Sequence, residues 1–222
     1  MDGIADLGGT DGWGPARPPS PDEPVFGQPW EGRAFAMTLL AMGRISGRNL
    51  DAFRHALERL NPGEYFEDGY YGRWLHAAEL MLVESAILAP DAVDARMRNL
   101  SGEHVEEPAA PEPNKPDYAP TAAGSLRTVE EAPTFTVGES VRAKDMSPAG
   151  HTRLPAYVRG HSGRIESIQP AHLLPDTHAH FEGENPQHVY TVSFDSQELW
   201  GTDAEPFRLT IEMFETYLEK AA

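Results

Sequence analysis

The spacing of apolar residues changes once along the chain, and this change limits the fold to two kinds of structure in series. Between residues 31 and 100 apolar residues recur at intervals of three and four, which places them on one face of an α-helix. From residue 134 to residue 222 they alternate with polar residues, as in strands with one buried face. The sequence therefore predicts an α+β protein, with a helical N-terminal domain followed by a small β domain.

Four helices are predicted in the first half of the chain. The first stops at Gly43, and the second begins at Asn49, whose side chain can accept a hydrogen bond from the first helical turn. The second ends at residues 61–63, where the sequence reads Asn-Pro-Gly. A third covers about residues 70–88, and Asp91 caps a short fourth.

The strand pattern is clearest near the C-terminus. Two segments alternate apolar and polar residues: Tyr190, Val192 and Phe194, and then Leu209, Ile211 and Met213. Several short strands within about 85 residues favour a small antiparallel barrel, because an open sheet leaves its edge strands exposed. The glycine-rich residues 160–163 are predicted to form a hairpin turn.

Two segments rich in proline stand outside these patterns. Residues 1–30 are predicted to form an extended arm, and Trp13, Phe26 and Trp30 suggest that the arm lies against another surface, since these rings are costly to leave in water. Residues 101–133, rich in proline and glutamate, are predicted to form an acidic linker that is mobile or wraps a partner. The predicted organisation is arm 1–30, helical domain 31–100, linker 101–133 and barrel domain 134–222.

Composition excludes several classes of function. Lys and Arg total 18 against 35 Asp and Glu, which gives a net charge of −17 and a surface that repels nucleic acids and anionic membranes. The chain has no cysteine, so disulfides, thiolate metal sites and a cysteine nucleophile are excluded. The N-terminus lacks the pattern of a signal peptide and no apolar run approaches about 20 residues, so we expect a cytoplasmic protein without a membrane span.

Catalytic motifs of the common enzyme classes are absent. The glycines of residues 8–14 match neither a phosphate-binding loop nor a dinucleotide fingerprint, and residues 160–163 do not match the nucleophile elbow of a serine hydrolase. Four residues spaced two apart could share one strand face and bind a metal: His178, His180, Glu182 and Glu184. Turn residues on both sides favour a hydrogen-bonded loop instead.

Two arginines and an aromatic cluster are the remaining candidates. Arg54 lies at the edge of the apolar stripe of the second helix, where a guanidinium needs an acceptor, and Glu58 at i+4 could supply one. Arg153 lies in a turn-rich stretch and by itself indicates only a surface loop. The aromatic residues either pack between helices or form the wall of a pocket for a small apolar ligand: Tyr65, Phe66, Tyr70, Tyr71 and Trp74.

Together these stretches resemble the β subunit of nitrile hydratase. The similarity covers both ends of the chain and both predicted domains, and only residues 101–133 have no recognisable counterpart. The segments that carry it are residues 1–9, 50–59, 70–74, 148–160, 181–190 and 198–201. Ala5 departs from the histidine that is common in the N-terminal motif.

The resemblance implies a helical domain followed by an SH3-like barrel. It also implies half of a lyase that converts a nitrile and water to an amide, acting with an α subunit either as a heterodimer or as a dimer of heterodimers, the α2β2 heterotetramer. In this family the α subunit holds a Co(III) or Fe(III) ion in a loop with two oxidised cysteines, and the metal acts as a Lewis acid. This chain would bind no cofactor itself.

Site residues carry over position by position. The resemblance assigns Arg54 and Arg153 to arginines that contact the oxidised cysteine oxygens of the α subunit, where guanidiniums form charge-assisted hydrogen bonds. It assigns Tyr70 and Trp74, with neighbouring Tyr71, to the substrate pocket, and a tryptophan at position 74 favours cobalt over iron. The alternative is a maturation protein that delivers metal to the α subunit, but such a protein needs neither a complete barrel nor a counterpart of Arg153.

Overall fold

The chain folds into two compact units, seen in a computed structural model that describes residues 3–15 and 17–221. The helical unit comprises residues 13–118, and the sheet unit combines the N-terminal residues up to Gly12 with residues from Ala119 onward. The division at residue 118 lies inside the predicted linker. Among the described helices none is both long enough and apolar enough to span a membrane.

The helical unit follows the predicted pattern with four differences. Its described elements are α1 (Pro29–Leu39), a π-helical segment (Leu40–Ile45), α2 (Leu50–Glu58), α3 (Pro62–Phe66), α4 (Gly69–Glu84) and α5 (Ala92–Leu100). The first helix does not stop at Gly43 but continues as a π-helix to Ile45. The third predicted helix ends at Glu84, four residues early, and α3 was not predicted. Asp91 precedes α5, but its side chain makes no capping hydrogen bond.

Side-chain caps explain where two of these helices begin. The Asn49 side chain accepts a hydrogen bond from the Ala52 N–H at 2.8 Å, which confirms the predicted cap of α2. At the start of α3 the Asn61 side chain accepts from the Glu64 N–H at 3.0 Å, and the Glu64 carboxylate accepts from the Asn61 N–H at 3.3 Å. This capping box lets a new helix begin where the sequence pattern predicted only an end.

Helices α2 and α4 form the centre of the helical unit. Phe53 and Ala56 of α2 pack with Ala77 and Met81 of α4, and all four are almost completely buried. The two alanines allow close approach of the helices, so α2 is held firmly with its polar edge outward. Arg54 lies on that edge.

The sheet unit contains a five-stranded antiparallel sheet in its described residues. Its elements are β1 (Ser140–Ala143), β2 (Ser162–His172), α6 (Pro175–His178), β3 (Gln187–Asp195), α7 (Ser196–Trp200), β4 (Arg208–Phe214) and β5 (Leu218–Lys220). The strand order is β4-β3-β2-β1-β5, so β4 and β5 are the edges. The α+β class is confirmed. Closure into a barrel is not seen among these strands, because β4 and β5 are not paired.

The alternating pattern correctly identified the core strand. Tyr190, Val192 and Phe194 of β3 are buried, and Tyr190 lies opposite Ile168 of β2 and Met213 of β4. The prediction of a hairpin turn at residues 160–163 is wrong at its C-terminal end, because Ser162 and Gly163 are already paired with β1. The true connection between β1 and β2 is residues 144–161, the loop that contains Arg153.

The C-terminal part of the predicted linker is bound to the sheet unit. The Arg127 guanidinium donates to both carboxylate oxygens of Glu184, with distances of 2.7 Å from Nε to Oε2 and 2.5 Å from Nη2 to Oε1. Both side chains are at least nine-tenths buried, and Thr121 also donates to this carboxylate. Residues 121–127 are therefore fixed to the sheet unit by hydrogen bonds, and we refer to them as the strap.

Candidate active-site residues

Arg54 pairs with a buried carboxylate one turn earlier in α2. Its Nη1 lies 2.7 Å from Oδ1 of Asp51, whose side chain is 4% exposed, whereas 40% of the Arg54 side chain is exposed. The predicted partner Glu58 lies instead beside His55, with 3.6 Å between carboxylate oxygen and Nδ1. Helical side chains lean towards the N-terminus, so Arg54 reaches the preceding turn, where a buried carboxylate needs a cation.

This pairing fixes the guanidinium of Arg54 but occupies only some of its N–H donors. Asp51 contacts one terminal nitrogen, and an arginine has five N–H donors arranged in a plane. Arg54 can therefore stay anchored to its own helix while it offers further donors to an anionic group. A carboxylate, phosphate or sulfur oxyanion fits such donors.

The predicted aromatic cluster surrounds Trp74. Its ring centroid lies 5.1 Å from that of Phe53, 5.6 Å from Tyr70 and 5.8 Å from Tyr71. Within the predicted cluster Tyr65 is 9% exposed, as helix packing requires, whereas 57% of Tyr70 is exposed. The exposed members form an aromatic wall that can face a small apolar molecule.

Residues of the predicted arm extend this wall. Trp13 stacks on Phe66 with 5.6 Å between ring centroids, and Phe26 lies 5.3 Å from Tyr71. These residues therefore contribute rings to the same surface. Trp13 nevertheless stays 58% exposed.

Arg153 is exposed, although the residues on both sides of it are buried. His151, Thr152 and Leu154 are at most 1% exposed, and the Arg153 N–H donates to the Tyr217 hydroxyl at 3.1 Å. In the described part of the chain the Arg153 guanidinium forms no hydrogen bond and no ion pair. The backbone of this residue is therefore held while its charged group is presented outward.

A buried polar network holds the loop around Arg153. Tyr217 donates a hydrogen bond to the Asp176 carboxylate, and the His180 Nε2 accepts one from the His151 N–H at 3.0 Å. Burial raises the pKa of the Asp176 carboxyl, and burial together with the Asp176 charge raises the pKa of Tyr217. The sequence pattern singled out His180 only as a possible metal ligand and did not indicate this network, because the bonded residues are 29 and 41 positions apart.

The four residues proposed as an alternative metal site do not share a strand face. His178 ends the short helix α6, and His180 and Glu182 lie in the turn that follows. His180 is engaged by His151, and Glu184 by Arg127. The hydrogen-bonded loop describes this segment better than the metal site does.

The N-terminal motif packs against the end of the same loop. A Cβ atom at Gly8 would lie 2.4 Å from the Tyr157 ring, and one at Gly9 would lie 2.9 Å from the Trp200 indole nitrogen. Tyr157 and Trp200 also stack on each other, with ring centroids 5.9 Å apart. The two glycines are therefore required by close approach to these rings.

The predicted site residues thus form two groups. Arg54, Tyr70, Tyr71 and Trp74 belong to the helical unit, and Arg153 belongs to the sheet unit. Arg54 presents a partly exposed guanidinium from the helical unit, and Arg153 presents an exposed one from the sheet unit.

Comparison with known families gives matches over nearly the whole chain. Residues 1–122 match the family described as nitrile hydratase beta subunit, N-terminal, and residues 124–220 match nitrile hydratase beta subunit, C-terminal. The two matches meet inside the segment between the predicted domains.

Similar proteins cover the same length. The chain is 42% identical to nitrile hydratase subunit beta of Pseudomonas putida, over all of both chains. It is 38% identical to the low-molecular weight cobalt-containing nitrile hydratase subunit beta of Rhodococcus rhodochrous, over 98% of this chain and 99% of the relative. It is 37% identical to the cobalt-containing nitrile hydratase subunit beta of Pseudonocardia thermophila, over 99% of this chain and 96% of the relative.

Proposed function

Because the chain belongs to the nitrile hydratase β-subunit family, we propose that it forms one half of an enzyme that hydrates nitriles to amides and is active only with an α subunit. The absence of cysteine supports this division, since a thiolate metal site must then come from the partner. The observation that carries the proposal is the exposed, unbonded Arg153 guanidinium on a loop whose neighbouring residues are buried. An exposed cation on a rigid support suits an acceptor on another chain.

The metal belongs to the α subunit in this proposal, and cobalt is the better assignment than iron. Two of the similar proteins are named cobalt-containing, and Trp74 occupies the position at which the resemblance favours cobalt. When bound, such an ion supplies a Lewis acid for the nitrile. The chemistry of this chain's residues fits the surroundings of that site, because guanidiniums pair well with sulfur oxyanions.

Arg54 and Arg153 are proposed to donate hydrogen bonds to the oxidised cysteines of the α subunit. Arg54 is suited to this role because Asp51 anchors one of its nitrogens and leaves the side chain 40% exposed. Arg153 is suited because Tyr217, through the backbone, fixes the position from which its side chain extends. Two such cations would neutralise and orient the oxygens around the metal.

Tyr70, Tyr71 and Trp74 are proposed to line the substrate pocket. Their rings are in mutual contact, with centroids 5.1 to 5.8 Å apart, and Tyr70 adds an exposed ring with a hydroxyl. A nitrile is a small ligand with one polar end. An aromatic wall with a phenol at its edge matches that shape and polarity.

The α subunit is also proposed to cover apolar surface of the helical unit and to assemble with this chain as α2β2. An apolar cavity of about 410 Å³ is lined by residues that include Met37, Leu40 and Ile45, which are 42–60% exposed. Exposed apolar surface of this kind is typical of permanent interfaces.

The sheet of the other unit is proposed to be an SH3-like barrel, as the resemblance implies. The domain division 1–30, 31–100, 101–133 and 134–222 likewise stays a proposal.

A role in metal delivery to the α subunit is the weaker candidate. A maturation protein would need no complete C-terminal domain, whereas the similarity here extends over both halves of the chain. No feature of the described residues favours it.

Co-expression with a nitrile hydratase α chain tests the proposal. The assembled protein should contain cobalt and convert an aliphatic or an aromatic nitrile to the amide. The isolated chain should be inactive and should self-associate, because Trp13 and Met37 lose their covering partner. An assembly without nitrile hydration, or an isolated chain that is monomeric and active, would contradict it.

A further inference from the structure

Arg73 of α4 lies between two tyrosine rings. Its guanidinium carbon is 4.5 Å from the ring centroid of Tyr65 and 5.4 Å from that of Tyr70. Its Nε is buried and has no hydrogen-bond partner, and no carboxylate pairs with the side chain within residues 3–15 and 17–221. The two rings are thus the principal contacts of this cation.

The two tyrosines differ in how firmly they are held. Tyr65 is 9% exposed and belongs to α3, which is closed at its start by a capping box. Tyr70 is 57% exposed and is only the second residue of α4. A cation attracted by both ring faces connects the fixed ring to the exposed one.

The other contacts of Tyr70 do not replace this connection. Tyr71 meets its ring edge-on at 5.1 Å, and Trp74 lies tilted at 5.6 Å. Both belong to the same helix as Tyr70, so neither ties the ring to another element. Arg73 alone links it to α3 among the described aromatic and cation–ring contacts.

We propose that Arg73 is a positioning residue for nitrile hydration, which holds the Tyr70 ring in place at the substrate pocket by a cation–π bridge to Tyr65. This inference rests on the proposed function of the pocket. Arg73 would not touch substrate. It would limit the rotation of Tyr70 and so fix the direction of the phenol hydroxyl.

The test uses the assembled α and β chains and three single variants. Arg73→Met keeps the length of the side chain and removes the cation, Arg73→Lys restores a cation without the planar group, and Arg98→Met removes an exposed arginine of α5 as the matched control. We expect Arg73→Met to lower kcat/KM by about fivefold, within the range of a cation–π contact, and Arg73→Lys to recover part of the loss. Arg98→Met should match the wild type.

A double-mutant comparison of Arg73 and Tyr70 distinguishes a positioning role of Arg73 from its other possible roles. In a Tyr70→Leu background, Arg73→Met should cause no further loss, because the ring on which it acts is gone. A crystal structure of the Arg73→Met assembly should show the Tyr70 ring displaced. An unchanged kcat/KM, an equal loss in both backgrounds, or an undisplaced ring would overturn the inference.

Failure of this inference can be told from failure of the proposed function. If the wild-type assembly hydrates nitriles and Arg73→Met is fully active, only the role of Arg73 is wrong. If the wild-type assembly lacks the activity, the proposed function is wrong. A loss that persists without Tyr70 and is accompanied by weaker subunit binding would assign Arg73 to a carboxylate of the partner instead, which also overturns the inference.

Discussion

The Asp6 carboxylate accepts a hydrogen bond from the backbone N–H of Ala156, with 2.8 Å between Oδ2 and N, although 150 positions separate the two residues. Ala156 follows Arg153 by three residues on the same loop. The N-terminal segment is therefore part of the structure that holds a proposed active-site arginine.

Substitution of Gly8 tests this relationship. In Gly8→Ala the new methyl group would meet the Tyr157 ring at 2.4 Å, so the segment must shift away from the loop. We expect a loss of about 1–3 kcal/mol in the free energy of unfolding, together with reduced turnover of the assembled enzyme. Thermal unfolding and a nitrile assay measure both. Gly43→Ala is the control, since a methyl group there meets nothing within 4 Å. Equal stability and turnover of the two variants would show that the N-terminal segment does not support the Arg153 loop.

The bond between Arg127 and Glu184 predicts a dependence of stability on pH. Hydrogen bonding to Arg127 holds the pKa of the Glu184 carboxyl well below its ordinary value of 4.5. A depressed pKa means that the stabilisation is complete above the ordinary value and is lost as the pH falls below it. Glu184→Gln should therefore cost about 3 kcal/mol at pH 7 and flatten the acid branch of the stability curve.

Urea unfolding of wild type and Glu184→Gln between pH 3 and pH 7, values chosen to bracket the ordinary carboxyl pKa of about 4, measures this difference. Glu106→Gln, at an exposed glutamate of the predicted linker, should follow the wild-type curve. Parallel curves for wild type and Glu184→Gln would show that the strap does not depend on this ion pair.

Local patterns predicted the elements whose causes are local. The apolar stripe and the Asn49 cap identified α2, and alternation identified β3, because these signals lie within a few residues of each other. The capping box at Asn61 and Glu64 was present in the sequence and could have predicted α3. The π-helical end of α1 had no comparable signal.

Partners remote in sequence could not be predicted. The helical spacing predicted Glu58 as the partner of Arg54, but Arg54 pairs with Asp51 because the Asp51 carboxylate is buried. That burial results from the packing of α2 on α4, which local spacing does not show. The network that holds Arg153 joins Tyr217 to Asp176 across 41 positions. The resemblance named the arginines, and the structure adds what supports them.

Replacement of His178 and His180 tests the absence of a metal role in this chain. We expect His178→Ala and His180→Ala to leave the cobalt content of the assembly unchanged. His180→Ala should still lower turnover, because the His151 N–H loses its acceptor at 3.0 Å and the loop of Arg153 loosens. Metal analysis and turnover on the same preparations measure the two effects, and loss of cobalt from an intact assembly would refute this prediction.

Arg54→Lys and Arg153→Lys test the assignment of these two arginines to the active site. A lysine keeps the charge but lacks the planar donors, so loss of one charge-assisted bond in the transition state should lower kcat by about tenfold or more in each variant. Subunit binding should weaken less, because most of the interface would be apolar burial. The control is Arg96→Lys, at an exposed arginine of α5 that pairs with Glu107.

The decisive measurement is kcat for a nitrile, together with cobalt content, in the assembled Arg54→Lys, Arg153→Lys and Arg96→Lys enzymes. We expect full cobalt content in all three variants, a large loss of turnover in Arg54→Lys and Arg153→Lys, and wild-type turnover in Arg96→Lys. Wild-type turnover in both Arg54→Lys and Arg153→Lys would contradict the assignment of these arginines to the active site.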